Sequence, residues 1–281
     1  MKLIRSIPSL DRTLAPARRA RRTVVLVPTM GALHAGHASL VRLARRRAGP
    51  RGLVVVSIFV NPTQFNQRSD FTKYPRTLTA DAALCRKAGA DLVFAPSAAA
   101  MYPPPFSTWV NEEALSLPLC GARRLGHFRG VCTVVLKLFN LVRPTEAIFG
   151  LKDYQQAMVL RRMVRDLNVP VRVVCAQTVR ERDGLAMSSR NRRLSPKGHR
   201  LAALLNGALV FARWSFLRGE RRPARLLAQA HLLLRVPGLR IEYLELVRPE
   251  DLCPSRRAAR GDALALAAWV EGVRLIDNVR L

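Results

Sequence analysis

Short apolar runs alternate with amphipathic segments along the first part of this chain. Residues 24–27 and, apart from Ser57, residues 53–60 are apolar runs of the kind shown by strands buried on both faces. From about Leu33 to Arg47 the apolar residues instead follow helical spacing, and the segment ends in three arginines. A strand, a helix and a strand in this order favour a parallel sheet with a right-handed crossover, and Pro28 is expected to close the first strand.

The same two patterns continue and predict about five βα units. Helical spacing recurs at residues 5–20, 81–88, 131–142 and 154–167. Short apolar runs predict further strands at residues 91–95, 147–149 and 171–175. Residues 101–130 carry three consecutive prolines and three glycines, which predicts a long irregular connection of the kind that is often functional.

From about residue 179 the composition shifts toward Arg, Ala and Leu. Helices are predicted at residues 196–217 and 223–235, and strands at residues 241–246 and 263–270. The chain is therefore predicted to be an α/β protein with two domains: a parallel-sheet domain at residues 1–178 and a smaller α+β domain at residues 179–281. The ligand is expected beyond the carboxyl ends of the parallel strands, beside the loops that follow residues 27 and 60.

Composition indicates a globular protein. Apolar residues make up 49% of the 281 positions, and no apolar stretch approaches the roughly 20 residues that a membrane span needs. The basic N-terminal segment lacks the apolar run of a signal peptide, so we expect a cytoplasmic location and no membrane partner. The five cysteines form no C-x-x-C pair, which favours reduced thiols over a disulfide framework or a zinc ribbon.

The formal charge of +28, from 47 basic and 19 acidic residues, suggests a nucleic-acid-binding protein. Only six of the basic residues are lysines, and the arginines are spread in short clusters without aromatic interleaving or a nucleic-acid-binding motif. A solvated basic surface is therefore favoured over a specific nucleic-acid site, with salt-sensitive, nonspecific binding to polyanions expected.

His34 and His37 follow the first predicted strand, within the sequence PTMGALHAGH. Gly31 and Gly36 loosen the turn, and the two histidines are three residues apart near a helix start, so they share a face. Unpaired N–H groups and the positive end of the helix dipole make such a terminus an anion site, and imidazoles beside it suggest phosphate chemistry. A zinc site is the weaker alternative, because no cysteine or carboxylate is suitably spaced nearby.

The segment PTMGALHAGH resembles the HxGH signature of the nucleotidyltransferase superfamily, and its longer form is similar to that of the pantothenate synthetase (pantoate–β-alanine ligase) family. Further blocks match that family in the same order: VVSIFVNPTQF, GHFRGVCTVVLKLFNLV, FGLKDYQQ, DGLAMSSRN and LIDN. The resemblance implies a Rossmann-like domain with an HxGH nucleotide loop and a smaller C-terminal domain. It also implies ATP- and Mg²⁺-dependent condensation of pantoate with β-alanine through a pantoyl adenylate, with release of AMP and pyrophosphate, in a homodimer.

The resemblance also assigns residues. The implied catalytic residues are His37 as proton donor, with His34, Lys152 and Arg190. The implied ATP contacts are the HxGH loop, a turn with a ribose-binding Asp153, an adenine lining of Val179 and Met187, and a phosphate clamp; they comprise Met30, Gly31, Ala32, Leu33, His34, Ala35, Gly36, His37, Gly150, Leu151, Lys152, Asp153, Val179, Met187, Ser188, Ser189 and Arg190. Pantoate and β-alanine are assigned to Gln64, Gln156, Asn61 and Met30, and a metal to Asp81.

Four positions depart from the family pattern, each by losing negative charge: Ala35, Ala80, Cys120 and Leu151. The metal site is therefore expected to rest on Asp81 alone or on the nucleotide. Two other functions stay open at this point. One is a nucleotidylyltransferase, which would share the HxGH loop without needing Gln64 and Gln156, and the other is a basic nucleic-acid-binding protein with a degenerate nucleotide fold.

Overall fold

A computed structural model describes residues 1–66 and 68–281, which form two compact units. Unit 1 comprises Met1–Glu113, Arg124–Gly150 and Val159–Ala176, and unit 2 comprises Ala114–Arg123, Leu151–Met158 and Gln177–Leu281. The predicted division at residue 178 stays a prediction, because compactness alone does not show which segments fold independently.

Within the described residues, the helices are α1 Ile7–Arg19, α2 Ala35–Ala48, α3 Arg68–Lys73, α4 Leu78–Ala88, α5 Ala98–Met101, α6 Cys120–Arg123, α7 His127–Val142, α8 Tyr154–Asp166, α9 Pro196–Leu217 and α10 Pro223–Leu234. The strands are β1 Lys2–Ile4, β2 Val24–Thr29, β3 Leu53–Ile58, β4 Leu92–Phe94, β5 Glu146–Gly150, β6 Arg172–Ala176, β7 Leu239–Val247, β8 Ala263–Val270 and β9 Val273–Arg280.

Unit 1 is built on a six-stranded parallel sheet with the strand order β1-β4-β3-β2-β5-β6. Its central strands are continuous apolar runs because both of their faces are covered. On one face, Val41 and Ala44 of α2 pack into a core with Val25, Val27 and Val54. The parallel sheet predicted from the apolar runs is confirmed, and so is the Rossmann-like domain implied by the family resemblance.

The first strand does not close at Pro28 as predicted, since β2 runs on to Thr29 and Pro28 pairs with Ser57 of β3. The pairing of β2 with β5 involves only Val25 and Leu26. Pro28 lies beyond these two pairs, so its missing N–H removes no hydrogen bond between β2 and β5.

The long irregular connection predicted at residues 101–130 is partly helical. It contains α6, and α7 begins at His127 rather than at residue 131. The edge strand β1 was not predicted, since it has only three residues and pairs with β4.

Unit 2 contains a three-stranded antiparallel sheet, β7-β8-β9, together with α9 and α10. Leu205 and Leu209 of α9 and Leu226 of α10 share a buried core with Leu264 and Leu266 of β8. This arrangement confirms the predicted α+β character of the C-terminal region, although β9 was missed.

Within the described part of the chain, none of the helices combines the length and apolar character needed to cross a bilayer. Over the same residues no disulfide joins the cysteines, of which Cys85, Cys120 and Cys132 are buried.

Candidate active site

The loop between β2 and α2 is held in a conformation that depends on left-handed backbone angles. Gly31 has φ +85° and Ala32 has φ +52°. The hydroxyl of Thr29 accepts a hydrogen bond from the Gly31 N–H at 3.3 Å and donates one to the Ser57 carbonyl at 2.7 Å. A side chain at residue 31 would also lie 3.1 Å from Asp81 Oδ2 and 3.2 Å from Ile58, so glycine is needed for both conformation and space.

Asp81, predicted as a metal ligand, holds this loop by hydrogen bonds. Its side chain lies on α4, where Oδ2 accepts from Ala32 N at 3.0 Å and Oδ1 accepts from Leu33 N at 2.8 Å and from the Thr77 hydroxyl at 3.1 Å. The residue is only 2% exposed. Both carboxylate oxygens therefore accept hydrogen bonds from the protein, and no group of three or more His, Cys, Asp or Glu side chains that could hold a metal occurs among residues 1–66 and 68–281.

The charge of Asp81 also acts on a neighbouring thiol. Burial, together with the negative charge of Asp81, raises the pKa of Cys85 to about 12. Cys85 is therefore a protonated core thiol at neutral pH and not a nucleophile.

The structure brings His34 and His37 together at the start of α2, with their ring centroids 4.1 Å apart. His34 is the N-cap residue, and its Nδ1 accepts from Gly36 N at 3.2 Å. His37 Nδ1 accepts in turn from His34 N at 3.3 Å. Because both Nδ1 atoms act as acceptors, each neutral imidazole carries its proton on Nε2, which can donate to a phosphate oxygen.

The structure also brings together Met30 and Gln64, two residues assigned to the organic acid. Gln64 Nε2 lies 2.9 Å from Met30 Sδ, and Gln64 Oε1 accepts from Asn61 Nδ2 at 3.1 Å. Asn61 is 1% exposed, and its Oδ1 accepts from the Tyr102 hydroxyl at 2.8 Å. Asn61 therefore shapes the turn that carries Gln64, and it is less accessible than Gln64, which is 8% exposed.

Three residues that the sequence did not single out position Gln64. Its backbone carbonyl accepts from Arg124 Nη2 at 3.0 Å and from His127 Nδ1 at 2.8 Å. A Cβ on Gly130 would lie only 2.4 Å from the Thr63 carbonyl oxygen, so only glycine lets α7 approach this turn. His127 and Gly130 both belong to the GHFRG block, which was the available signal.

Tyr102 completes this support and stays neutral. Burial raises the pKa of its hydroxyl, although hydrogen bonds with Thr63 and Asn61 oppose that shift. The neutral hydroxyl can therefore act as the donor to Asn61.

In unit 2, the residues predicted to bind phosphate and ribose, Lys152 and Asp153, lie in a short turn, Leu151–Asp153. Lys152 Nζ lies 4.0 Å from Asp153 Oδ1, and Asp153 is half exposed. Of the two adjacent glutamines, Gln155 is buried and bonds Cys120 N, the Leu115 carbonyl and the Pro118 carbonyl at 2.7–2.9 Å. Gln156 is only partly buried, so of the two it is the one available to a ligand.

The other predicted phosphate-binding residues of unit 2 follow a small hairpin. In this hairpin Met187 N donates to the Val179 carbonyl at 3.0 Å, and Glu181 N donates to the Leu185 carbonyl at 2.8 Å. Ser188 caps the next turn by accepting from Arg190 N at 3.2 Å. Ser188, Ser189 and Arg190 are all partly exposed.

The four departures from the family pattern occupy different environments. Ala35 is the exposed first residue of α2, and Ala80 is exposed on α4. Cys120 and Leu151 are both buried. None of these positions carries a carboxylate that could join Asp81 in holding a metal.

Comparison with known proteins gives matches over nearly the whole chain. The sequence profile described as pantoate-beta-alanine ligase matches residues 2–280. Pantothenate synthetase of Geobacter sulfurreducens is 50% identical over 279 residues, covering 99% of this chain and 98% of that protein. The Thermotoga neapolitana pantothenate synthetase is 49% identical over 282 residues, with both chains covered completely.

Solved structures agree with the sequence comparison. The crystal structure of pantothenate synthetase from Thermus thermophilus has a TM-score of 0.93 at 46% identity, covering 99% of each chain. Pantoate-beta-alanine ligase from Francisella tularensis, described as complexed with beta-gamma ATP and beta-alanine, has a TM-score of 0.80 at 30% identity, covering 100% of this chain and 97% of that one.

Proposed function

This chain belongs to the pantoate–β-alanine ligase family, and we propose that it joins pantoate to β-alanine with ATP through a pantoyl adenylate. The observation that carries the proposal is the paired arrangement of His34 and His37, whose Nδ1 atoms accept backbone N–H groups at the start of α2. That arrangement supplies two proton-bearing Nε2 atoms at a helix N-terminus, which suits a bound triphosphate.

In the first step, a carboxylate oxygen of pantoate attacks the α-phosphorus of ATP, and the bond to the leaving pyrophosphate breaks. Negative charge accumulates on that leaving group, so donors already in place lower the barrier. We assign Nε2 of His37 as the donor to the phosphates, with His34 beside it. The pairing of the rings helps to fix both before the nucleotide arrives.

From the family resemblance, we also assign groups of unit 2 to ATP. Lys152 and Arg190 supply positive charge to the phosphates, and Ser188 and Ser189 supply hydroxyl donors. Asp153 accepts from a ribose hydroxyl, and Val179 and Met187 line the adenine. The support for these roles is the family match and the partial exposure of these side chains.

In the second step, the amine of β-alanine attacks the acyl carbon of the adenylate. The bond to AMP breaks, a proton leaves the nitrogen, and the amide forms. Gln64 and Gln156 are assigned to the acid because neutral amides can bond its hydroxyls without adding charge beside its carboxylate. Met30 contributes an apolar contact, and Asn61 acts by shaping the turn that carries Gln64.

We infer that Asp81 is not the metal ligand that the sequence suggested. Asp81 gives both oxygens to backbone N–H groups and to Thr77. We propose that Mg²⁺ enters bound to the phosphates of ATP, and that Asp81 is a structural residue of the loop.

The proposal is tested by omitting each substrate in turn from an assay for AMP release. We expect AMP release to require both pantoate and β-alanine, and exchange of labelled pyrophosphate into ATP to require pantoate alone. Pyrophosphate exchange without pantoate would point to a nucleotidylyltransferase. Tight DNA binding at physiological salt, with no pantoate-dependent exchange, would point to a nucleic-acid-binding protein.

The role of His37 is tested by two substitutions that separate its two nitrogens. In His37→Asn, the amide oxygen can replace Nδ1 as acceptor, but no group replaces Nε2. We expect a normally folded protein whose pyrophosphate exchange falls by about 10²–10³-fold. His37→Gln should recover part of the rate, and His231→Gln on α10 is the matched control. Exchange at the wild-type rate in His37→Asn would remove this histidine from the mechanism.

The acid site is tested on the adjacent glutamines. Gln156→Ala should raise KM for pantoate more than KM for ATP, because the side chain is assigned to the acid. Gln155→Ala should mainly lower thermal stability, because it removes three buried hydrogen bonds. Equal rises in both KM values for Gln156→Ala would show that the pantoate contact is misassigned.

Two proposals remain: a homodimer, which the family resemblance implies, and a cytoplasmic location, which the lack of a signal peptide in the sequence suggested. Light scattering on the purified protein should give twice the 31.3 kDa of one chain. A mass of one chain would exclude the dimer.

A further inference from the structure

Two adjacent polar residues of β9, Asp277 and Asn278, are buried in unit 2. Asp277 is 4% exposed and Asn278 is 8% exposed. The reaction proposed above gives neither residue a contact with substrate. Their hydrogen bonds lead to two other segments of unit 2, which are far from β9 along the chain.

Asp277 holds the hairpin that precedes the phosphate-binding serines. Its Oδ2 accepts from Arg180 Nη1 at 2.7 Å, and its Oδ1 accepts from Arg180 Nη2 at 3.0 Å. The same guanidinium donates to the Gly184 carbonyl at 3.0 Å, across the hairpin. Arg180 therefore links its own side of the hairpin both to Gly184 and to β9, just before the turn that carries Ser188.

Asn278 holds the other segment. Its Nδ2 donates to the Leu151 carbonyl at 2.8 Å and to the Lys152 carbonyl at 3.0 Å. Both hydrogens of the amide are thus used on the backbone of the turn that presents Lys152. These bonds from β9 define the position of that turn.

Stability alone is a poor reason for this arrangement. A buried ion pair costs desolvation on both partners, and well-packed apolar residues in its place are often equally stable. What the pair provides is geometry, since a two-pronged Arg–carboxylate contact fixes both distance and orientation.

We propose that Asp277 and Asn278 are positioning residues that fix, from one strand, the two ATP-binding segments of unit 2. Asp277 acts through Arg180 on the segment that ends at Arg190, and Asn278 acts on the backbone of Lys152. The inference rests on the proposed function, because it is that function which assigns both segments to ATP.

The same sheet contains a matched control. Glu242 on β7 accepts from Arg274 at 2.5 and 2.9 Å and from Trp269 Nε1 at 3.1 Å. This pair is also largely buried and also bonds β9, but its hydrogen bonds go to neither ATP-binding segment. A loss of Glu242 should therefore reproduce the structural damage without the functional effect.

The test measures steady-state kinetics of Asn278→Ala, Asp277→Asn and Glu242→Gln. Displacement of a catalytic contact by about 1 Å can cost on the order of 100-fold in rate. We expect kcat/KM for ATP to fall by about 10- to 100-fold in the first two variants, with KM for β-alanine changed by less than about twofold. Glu242→Gln should lower the thermal midpoint and leave KM for ATP within about twofold of wild type.

Two results would overturn the proposal: wild-type kcat/KM for ATP in a folded Asn278→Ala variant, or an equal fall in Glu242→Gln. Should Asp277→Asn fail to fold, Arg180→Lys is the second variant, because it keeps the positive charge and loses the two-pronged guanidinium contact. It should show the same fall in kcat/KM for ATP. A wild-type protein without pantoate-dependent AMP release would instead contradict the proposed function, so the two failures are distinguishable.

Discussion

Replacing Asp81 distinguishes a structural carboxylate from a metal ligand. In the structure, Asp81 accepts two backbone N–H groups, from Ala32 at 3.0 Å and from Leu33 at 2.8 Å. Both of those residues are buried, with exposed fractions of 1% and 5%. Removing the carboxylate therefore leaves two buried donors without their acceptor, and it frees the left-handed backbone at Ala32.

The expected loss of stability follows from these contacts. A hydrogen bond to a charged group contributes about 1.5–3 kcal/mol, so losing both N–H bonds in Asp81→Ala should cost about 3–6 kcal/mol in the free energy of unfolding. Asp81→Asn keeps one acceptor oxygen, and about half of that loss is expected. Because a typical domain is stable by only about 5–15 kcal/mol, Asp81→Asn is the safer variant for quantitative work.

The measurement is urea unfolding followed by circular dichroism, with pyrophosphate exchange assayed at several Mg²⁺ concentrations. Asp166→Asn is the control, since its carboxylate forms an exposed pair with Arg165 and should change stability by less than about 0.5 kcal/mol. We expect a low rate in Asp81→Asn that added Mg²⁺ does not restore. Unchanged stability with a raised Mg²⁺ requirement would refute the structural role and show that Asp81 is a metal ligand.

Two further predictions concern packing and pH. Gly130→Ala should lower the free energy of unfolding by about 1–3 kcal/mol and raise KM for pantoate, because its Cβ would lie 2.4 Å from the Thr63 carbonyl oxygen. The control is Gly207→Ala on α9, whose Cβ meets nothing within 4 Å and which should be neutral or stabilising by up to about 1 kcal/mol. Equal stability of the two variants would contradict the steric argument. The hydrogen bond from Arg47 lowers the pKa of Glu146, so its stabilisation should be present above about pH 4.3 and be lost as pH falls through the lowered folded-state value. The difference in urea midpoint between wild type and Arg47→Ala should therefore shrink between pH 7 and pH 3, and a constant difference would show that the pair does not titrate this way.

The elements that the sequence predicted well are those whose signal is local. The runs that became β2 and β3 are apolar because both faces of the sheet are covered, so they stand out in any window that contains them. The HxGH loop was predictable for a similar reason, because the strand end, the glycines of the turn and the helix start are consecutive in the sequence. The edge strand β1 has only three residues and no such pattern.

Strand β9 shows why other features could not be predicted. Its apolar alternation is interrupted by Asp277 and Asn278, which are buried and satisfied by Arg180 and by the carbonyls of Leu151 and Lys152. A polar residue is expected to be exposed until its partners are known. Those partners lie 97 to 127 residues earlier in the chain, beyond the reach of any local pattern.

By itself, the sequence determined the order of most strands and helices, the parallel sheet, the place of the HxGH loop and the family to which the chain belongs. The tertiary structure decided what the individual polar residues do. It made Asp81 a support of the loop, Asn61 a turn former, and Gln155 rather than Gln156 the structural glutamine. The physical reason is that the role of a buried polar group depends on its hydrogen-bond partners, and only packing of the whole chain brings those partners within reach.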